Sequence, residues 1–252
     1  VPRALEGTAK PFLYNDIQGL KDILSKGDVG VIFMEPERTV PPQPGFLEEV
    51  RKLASAYNAV LVFDESTSGF RSQLGGQHLK YGVNPDLAIF GKTLGNGYAI
   101  NAVIGTREVM ETAESTFISS TFWTERIGPV AALATLEAMR VERAPTAVEA
   151  IGEVVRATWS SIASNYGLEF EIRGLPAIST FSVATYEATE TKTFITQEML
   201  KRGFLATSAF YASISHSPGV LDGYFSSFDS VIRTLANTDP LELGRRLDAG
   251  PS

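Results

Sequence analysis

The sequence contains no cysteine among its 252 residues, which excludes disulfide bonds and thiolate metal sites. It has no apolar run near the roughly 20 residues that span a bilayer. It also has no excess of basic charge, and its net charge of −7 gives no basis for binding nucleic acid or an anionic membrane. The first residues, Val1–Gly7, lack both an initiator methionine and the pattern of a signal peptide. The missing cysteine permits a reducing compartment without requiring one, and we expect a cytoplasmic location and no metal site.

The composition and the apolar runs are typical of a globular α/β protein. Hydrophobic residues make up 44% of the chain and charged residues 20%, which argues against a disordered or fibrous protein. The continuous apolar run at 59–63 is typical of a strand in a parallel sheet, and strands are also predicted at 30–34 and 86–90. Helical spacing from Phe46 to Tyr57 predicts a helix between the first two of these strands. This alternation predicts a mostly parallel central sheet with helices on both faces.

The pattern changes after Glu125. Helical spacing predicts one helix there and a second over 148–166, with a break at Ala144–Pro145. Shorter strands and helices are then predicted over 168–172, 178–184, 197–202, 209–214 and 220–235. We therefore predict a first domain over residues 1–144 and a smaller α+β domain over residues 145–252.

Three sets of polar residues follow predicted strands, where open α/β sheets bind ligands. Asp64 ends one strand, Lys92 follows the next strand by two residues, and the hydroxyl cluster Ser119–Thr121 precedes a helix. An amine that attacks a carbonyl must be unprotonated, and desolvation at a strand end favours that form. By position alone, however, Lys92 is more often a solvated and inert lysine.

The sequence Gly91-Lys92-Thr93 suggests the end of a phosphate-binding loop, but that loop needs a glycine five residues before Gly91. Position 86 is aspartate, so this alternative fails. For Asp64 two alternatives stay open: a cap at the strand end, or a partner for a cationic ring nitrogen. An aspartyl phosphatase would require aspartate where Ser66 stands.

The remaining polar residues have simpler alternatives. The hydroxyls of Ser119–Thr121 and the amides at a helix start could hold a phosphate, whereas local sequence favours plain capping of the helix by Thr124. His78 and His216 lie far apart in polar segments, and we expect both to be surface histidines rather than metal ligands.

The order and spacing of three motifs are much more specific than any single residue. The motifs are VFDESTSGFR at 62–71, YGVNPDL at 81–87 and GKTLGNGY at 91–98. Together they resemble class III aminotransferases, which are pyridoxal 5′-phosphate enzymes of fold type I. The branch that the chain resembles most is glutamate-1-semialdehyde 2,1-aminomutase, and residues 104–110 and 203–216 also look like that branch.

The resemblance implies a role for each candidate site residue. Lys92 would form the Schiff base with pyridoxal 5′-phosphate and later move a proton, and Asp64 would bond the pyridinium nitrogen. Thr121, with Ser120, matches the position that contacts the cofactor phosphate of the neighbouring subunit, which implies a homodimer with the active site at its interface. Ser66 stands where relatives commonly carry an apolar residue, and its hydroxyl could bond the phenolic oxygen of the cofactor.

Two departures from the family shape the expected function. Many relatives carry a second acid five residues after Glu35, and this position is Val40, as expected for the aminomutase branch. Family members also carry an N-terminal region that supplies a phosphate cup, a stacking aromatic and much of the substrate pocket. Val1 looks like a point inside the large domain, so we expect a piece of a longer enzyme, with that N-terminal segment as a partner.

We therefore expect an aminotransferase or an aminomutase, a transferase or an isomerase, that moves an amino group to or within a carbonyl-bearing substrate. Its partners would be a small-molecule amino donor and a carbonyl acceptor, with no nucleic acid and no membrane. The alternative is a non-catalytic fragment of the same fold that acts as an interaction or assembly module.

Overall fold

The computed structural model describes residues 2–122 and 124–250. The chain divides into two units, Val1–Ala138 and Met139–Ser252. The first unit has a four-stranded sheet in the order β1-β2-β3-β4. Its strands are β1 Val31–Met34, β2 Val60–Asp64, β3 Leu87–Phe90 and β4 Ala102–Gly105. β1, β2 and β3 are parallel, whereas β4 is antiparallel to β3, so the sheet is mixed.

Among the described residues, five α-helices belong wholly or mainly to the first unit. They are α1 Ile17–Leu24, α2 Phe46–Ala56, α3 His78–Tyr81, α4 Arg107–Glu111 and α5 Ile127–Val141. Helix α1 begins at Asp16, whose side chain accepts a hydrogen bond from the Gly19 amide at 2.9 Å. Helix α2 begins after Gly45, whose φ of 84° lies in the left-handed region that glycine adopts without strain.

One face of the sheet carries the core of the first unit. The register pairs Met34 with Phe63, and side-chain alternation puts Ile32 on the same face. These residues are buried against α1 and α2. On the opposite face of β1, Val31 and Phe33 are 54% and 56% exposed. The described residues therefore leave part of that apolar face uncovered.

The end of β3 has a core of its own. Ala88 and Phe90 pack with Leu94 and with Ala132 of α5. The ring of Phe70 lies 5.3 Å from that of Phe90. This packing fixes the backbone on either side of Lys92 to helix α5 and to the loop after β2.

The second unit is an α+β layer with a three-stranded antiparallel sheet. Its elements are α6 Ala144–Asn165, β5 Phe170–Arg173, β6 Ile178–Val183, α7 Ala188–Lys201, β7 Ala209–Tyr211 and α8 Pro218–Ala236. Trp159 of α6 is fully buried, and its indole N–H donates to the hydroxyl of Tyr224 at 2.8 Å. Aromatic rings of α6, β6 and α8 meet around it, as aromatic cores commonly do.

Most predicted elements agree with the structure to within a few residues. Two differ in length: α7 covers Ala188–Lys201 rather than 197–202, and β7 is only Ala209–Tyr211. Helix α7 is extended by the Glu187 side chain, which accepts from the Glu190 amide. In the described part of the chain, no helix is long and apolar enough to cross a membrane.

Candidate active site

The candidate site lies where the parallel strands of the first unit end. The register places Asp64 of β2 opposite Ile89 of β3. Lys92 lies two residues beyond the end of β3. The carboxylate and the amine therefore lie at the carboxyl ends of neighbouring parallel strands, as the sequence predicted.

The loop after β2 is shaped by backbone hydrogen bonds and by a glycine. The Ser66 amide donates to Asp64 Oδ1 at 2.9 Å, and the Glu65 amide donates to the Ile89 carbonyl at 2.8 Å. At Gly69 a Cβ atom would lie 2.7 Å from both the Glu65 carbonyl oxygen and the Phe90 ring. Only glycine allows this loop to fold back so closely. The loop thereby keeps Asp64 and Ser66 beside the end of β3.

Thr67, which the sequence did not single out, is the residue that holds Lys92. Lys92 Nζ donates to Thr67 Oγ1 at 2.6 Å, and Thr67 is only 5% exposed. Position alone favoured a solvated lysine here, and Lys92 is exposed in the structure. Its position three residues after Asp64, in the loop that follows the strand, could have marked Thr67 as a candidate site residue.

The backbone at Lys92 is held in an unusual conformation. Its φ is 38°, in the left-handed region, which costs a non-glycine residue about 1–3 kcal/mol. The following turn is tight, because a Cβ at Gly95 would lie 2.1 Å from the Tyr98 carbonyl oxygen. Such strain is concentrated at functional sites and persists where surrounding structure enforces it.

Beneath the loop lies a buried hydrogen-bonded cluster around Glu65 that the sequence did not predict. His78 Nδ1 and the His78 amide contact Glu65 Oε1 at 2.8 and 2.9 Å, and Ser68 Oγ donates to Glu65 Oε2 at 2.5 Å. His78 is 7% exposed, so the prediction of a surface histidine was wrong. Burial by itself raises the pKa of Glu65, but the hydrogen bonds from His78 and Ser68 and from backbone amides outweigh it, and the pKa lies below its ordinary value.

A second buried carboxylate, Glu37, links the segment after β1 to helix α3. Glu37 accepts hydrogen bonds from Gln77 Nε2 at 2.6 Å and from the Tyr81 hydroxyl at 2.5 Å. Burial and the nearby Glu37 carboxylate raise the pKa of Tyr81, which keeps its hydroxyl protonated as a donor. Through these hydrogen bonds, Glu37 and Glu65 hold α3 against the loops after β1 and β2.

Lys92 opens onto a cleft of about 450 Å³. The cleft is lined by Arg71, Lys92, Thr93, Asn96, Gly97, Tyr98 and Ala99. Thr93 Oγ1 is buried and has no hydrogen-bond partner among the described residues. A buried hydroxyl without a partner is costly and is a common mark of a ligand site.

The hydroxyl cluster at Ser119–Thr121 lies apart from this cleft in sequence, and its residues are exposed. The helix that follows is capped by Glu125, whose carboxylate accepts from the amides of Ile127 and Gly128. No hydrogen bond within the described residues joins Ser120 or Thr121 to Asp64 or Lys92. Among the described residues, Ser120 and Thr121 do not line the cleft at Lys92.

The second predicted surface histidine lies in the other unit. His216 is partly buried, and its Nδ1 accepts from the Ser213 amide at 3.0 Å, which puts the ring proton on Nε2. Its ring lies 4.8 Å from that of Phe210, beside a cavity of about 320 Å³. His216 is therefore a structural part of this unit rather than a simple surface residue.

The chain is similar in sequence to known enzymes. The chain is 39% identical over 185 residues to the 3-aminobutyryl-CoA aminotransferase of Cloacimonas acidaminovorans, covering 70% of this chain and 45% of that protein. It is 32% identical over 232 residues to the glutamate-1-semialdehyde 2,1-aminomutase of Pelotomaculum thermopropionicum, covering 81% and 52%. The chain thus spans about half the length of these relatives.

A solved structure shows the same fold. The FumI protein of Sphingopyxis sp. MTA144, in its pyridoxal phosphate internal aldimine form, superposes with a TM-score of 0.85 at 25% identity, covering 92% of this chain and 59% of that one. An omega-transaminase from Sphaerobacter thermophilus gives 0.83 at 21% identity, with 94% and 59% covered. Residues 11–219 match the family described as aminotransferase class-III. The chain belongs to the class III aminotransferases.

Proposed function

We propose that this chain is the part of a pyridoxal 5′-phosphate enzyme that binds the cofactor covalently through Lys92 and moves an amino group to or within a carbonyl-bearing substrate. The observation that carries the proposal is the position of Asp64 and Lys92 at the ends of neighbouring parallel strands. The bond from Lys92 Nζ to the buried Thr67 hydroxyl supports it, because it aims the amine toward the loop that contains Asp64.

The residues present fit this cofactor. A carboxylate at a strand end suits the protonated ring nitrogen, and the amine of Lys92 belongs to the loop after the neighbouring parallel strand. The Thr93 hydroxyl, which has no hydrogen-bond partner among the described residues, and the partly buried Ser66 add polar groups near the carboxyl ends of these strands. When bound, the cofactor supplies an electron sink for carbanion chemistry at the substrate carbon.

Each side chain then has a separate task. Asp64 would hold a proton on the ring nitrogen by a charged hydrogen bond. Lys92 Nζ would hold the cofactor covalently, and its amine would be the group that moves a proton at the substrate carbon. Thr67 orients that amine through its hydroxyl, and Ser66 would donate to the phenolic oxygen of the cofactor.

A homodimer is the second part of the proposal. Ser120 and Thr121 are exposed, so a phosphate held by them in one copy would face solvent, whereas a second copy could supply the rest of its site. Beside them, Phe117 is 97% exposed and Phe122 76%. The neighbouring helix α5 exposes Ile127, Val130 and Leu133, each by more than 60%. Exposed apolar surface of this kind marks protein contacts.

The two units of the chain correspond in this proposal to part of the large cofactor-binding domain and to the small C-terminal domain. The exposed Val31 and Phe33 of β1 support further polypeptide packing on that face in the assembled enzyme. The amino donor and the acceptor, a transferase or mutase outcome, and a cytoplasmic location stay predictions.

The test is cofactor uptake by the full-length protein. Wild type is expected to develop the visible absorbance of lysine-bound pyridoxal phosphate, and Lys92→Ala to lack it and to lose at least about 10²-fold in rate. Lys52→Ala, which removes an exposed lysine, is the matched control and is expected to match wild type. A wild-type protein that takes up no cofactor but forms a stable oligomer would contradict the proposal and favour an assembly module.

A further inference from the structure

The second unit contains a cavity of about 320 Å³ beside β7 and the first turns of α8. The residues that line it lie between positions 204 and 224, and none of them lines the cleft of the first unit. Leu205 is 97% exposed and Val220 47%, which places the mouth of the cavity beside these two side chains. The cavity is therefore a separate feature of the second unit and is open to small molecules.

Aromatic rings form much of the cavity wall. The ring of Phe210 lies 6.0 Å from that of Tyr224 and 4.8 Å from that of His216. The ring of Phe204 lies 6.1 Å from that of Tyr224, and all four residues line the cavity. Aromatic rings pack favourably against a further ring at such distances. Because an apolar cavity of about 150 Å³ holds a benzene molecule, this one has room for a substituted ring.

Two polar groups of the wall lack a hydrogen-bond partner. Thr207 Oγ1 is buried and has none among the described residues. His216 Nδ1 accepts from the Ser213 amide at 3.0 Å, so the ring proton is on Nε2, and the described residues provide no acceptor for it. A buried hydroxyl without a partner is costly, and a ligand that bonds to it removes that cost. The two groups therefore call for a ligand with one polar end.

The charge of the wall restricts the ligand further. No lysine, arginine, aspartate or glutamate lines the cavity in the part of the chain that the structure describes. The bond from the Ser213 amide keeps His216 neutral, because only a neutral imidazole has an acceptor nitrogen. A charged ligand group would therefore be desolvated without an opposite charge beside it, which is strongly unfavourable.

We propose that this cavity binds a single aromatic ring that carries one hydroxyl group, a ligand of the phenol class. The ligand hydroxyl accepts from His216 Nε2 and donates to Thr207 Oγ1, and its ring packs against Phe204 and Phe210. An aromatic hydrocarbon would fill the same space and leave both polar groups without partners, whereas an aromatic carboxylate would bring an unpaired charge. This inference goes beyond the proposed function and does not depend on it.

The experiment is a fluorine NMR titration of the full-length, cofactor-loaded protein. The probes are 4-fluorophenol and 4-fluorotoluene, which has a methyl group in place of the hydroxyl. Wild type is expected to bind 4-fluorophenol with a Kd of about 1 mM or below, and more tightly than 4-fluorotoluene. Thr207→Val keeps the shape of the side chain, and it is expected to weaken 4-fluorophenol by about 5-fold while leaving 4-fluorotoluene at its wild-type Kd.

Two further variants locate the site. Ala206 lines the cavity, and Ala206→Leu is expected to weaken both probes by at least about 10-fold because the larger side chain takes up the space for the ring. Thr196→Val removes a hydroxyl that donates within α7 and is the control, which should match wild type for both probes.

The proposal is wrong if 4-fluorophenol shows no saturable binding, or if it binds wild type no more tightly than 4-fluorotoluene. It is also wrong if Thr207→Val weakens the two probes equally, since the hydroxyl would then not be what recognises the ligand. Thr207→Val is a conservative change at a hydroxyl without a partner, so the variant is expected to fold as wild type does.

Discussion

Lys92 Nζ lies 2.6 Å from Thr67 Oγ1, although the two residues are 25 positions apart in the chain. Their strands are neighbours in the sheet, and each residue lies in the loop after its strand. The contact links a residue at a strained φ of 38° to a buried hydroxyl in the Asp64 loop. It therefore couples the position of the amine to the position of the carboxylate.

The first prediction concerns this contact. Thr67→Val keeps the shape of the side chain and removes the hydroxyl, so the Lys92 amine loses its partner. We expect a loss of about 1 kcal/mol in transition-state stabilisation, or about 5-fold in kcat, with the cofactor still bound. Steady-state kinetics of the full-length enzyme measure this. Thr67→Ser should restore most of the rate, which a purely packing role for the threonine methyl would not allow.

Thr191→Val is the control for the first prediction. Thr191 is also 5% exposed, and its hydroxyl donates within α7 of the second unit. It should leave kcat unchanged. Equal losses in both variants would mean that the effect of Thr67 is general destabilisation.

The second prediction concerns Asp64. Asp64→Asn can still accept the Ser66 amide and keep the turn, but it no longer offers a charge to the ring nitrogen. We expect the cofactor to bind and the rate to fall by about 10²- to 10³-fold, the size of a lost electrostatic contact at a reacting group. Cofactor absorbance and kcat are the measurements, and an asparagine variant with wild-type kcat would remove Asp64 from the chemistry.

The third prediction concerns pH and Glu65. The pKa of Glu65 is lowered in the folded protein, so its contribution to stability is present above its ordinary value of 4.5 and is lost as the pH falls through the lower folded value. We expect Glu65→Gln to be less stable than wild type by about 2 kcal/mol near neutral pH, because charge-assisted hydrogen bonds are lost. The difference should shrink as the pH falls below 4.5.

Urea unfolding at a series of pH values tests the third prediction. The exposed Glu48 provides the control, since Glu48→Gln should follow the wild-type curve at every pH. A difference between wild type and Glu65→Gln that does not change with pH would mean that the lost charge is not what stabilises this loop.

The fourth prediction concerns the second unit. Tyr224→Phe leaves the fully buried Trp159 indole N–H without its acceptor, at a cost of about 1–3 kcal/mol. The free energy of unfolding from denaturant titration is the measurement. Tyr57→Phe, at a 44% exposed tyrosine, should change it by less than about 0.5 kcal/mol. Equal values for the two variants would show that the Trp159 hydrogen bond contributes nothing.

The sequence by itself predicted the strands, and it placed the candidate site at the ends of two of them. Apolar runs that end in Asp64 and before Lys92 are local signals, because a parallel strand buries its whole length and stops where polar groups begin. The resemblance of the motifs at 62–71, 81–87 and 91–98 to those of class III aminotransferases then suggested the cofactor chemistry expected of Asp64 and Lys92. The assignment of roles to the individual residues stays a prediction.

Only the tertiary structure decided which polar groups meet. Thr67, His78 and Arg71 have no local signal, because their partners lie 4 to 25 residues away or on another strand. Burial of His78 depends on the Glu65 carboxylate beneath it, and the φ of Lys92 depends on packing on both sides of its turn. Hydrogen bonds and strain of this kind are properties of the folded chain, since each is stabilised by groups that only the fold brings together.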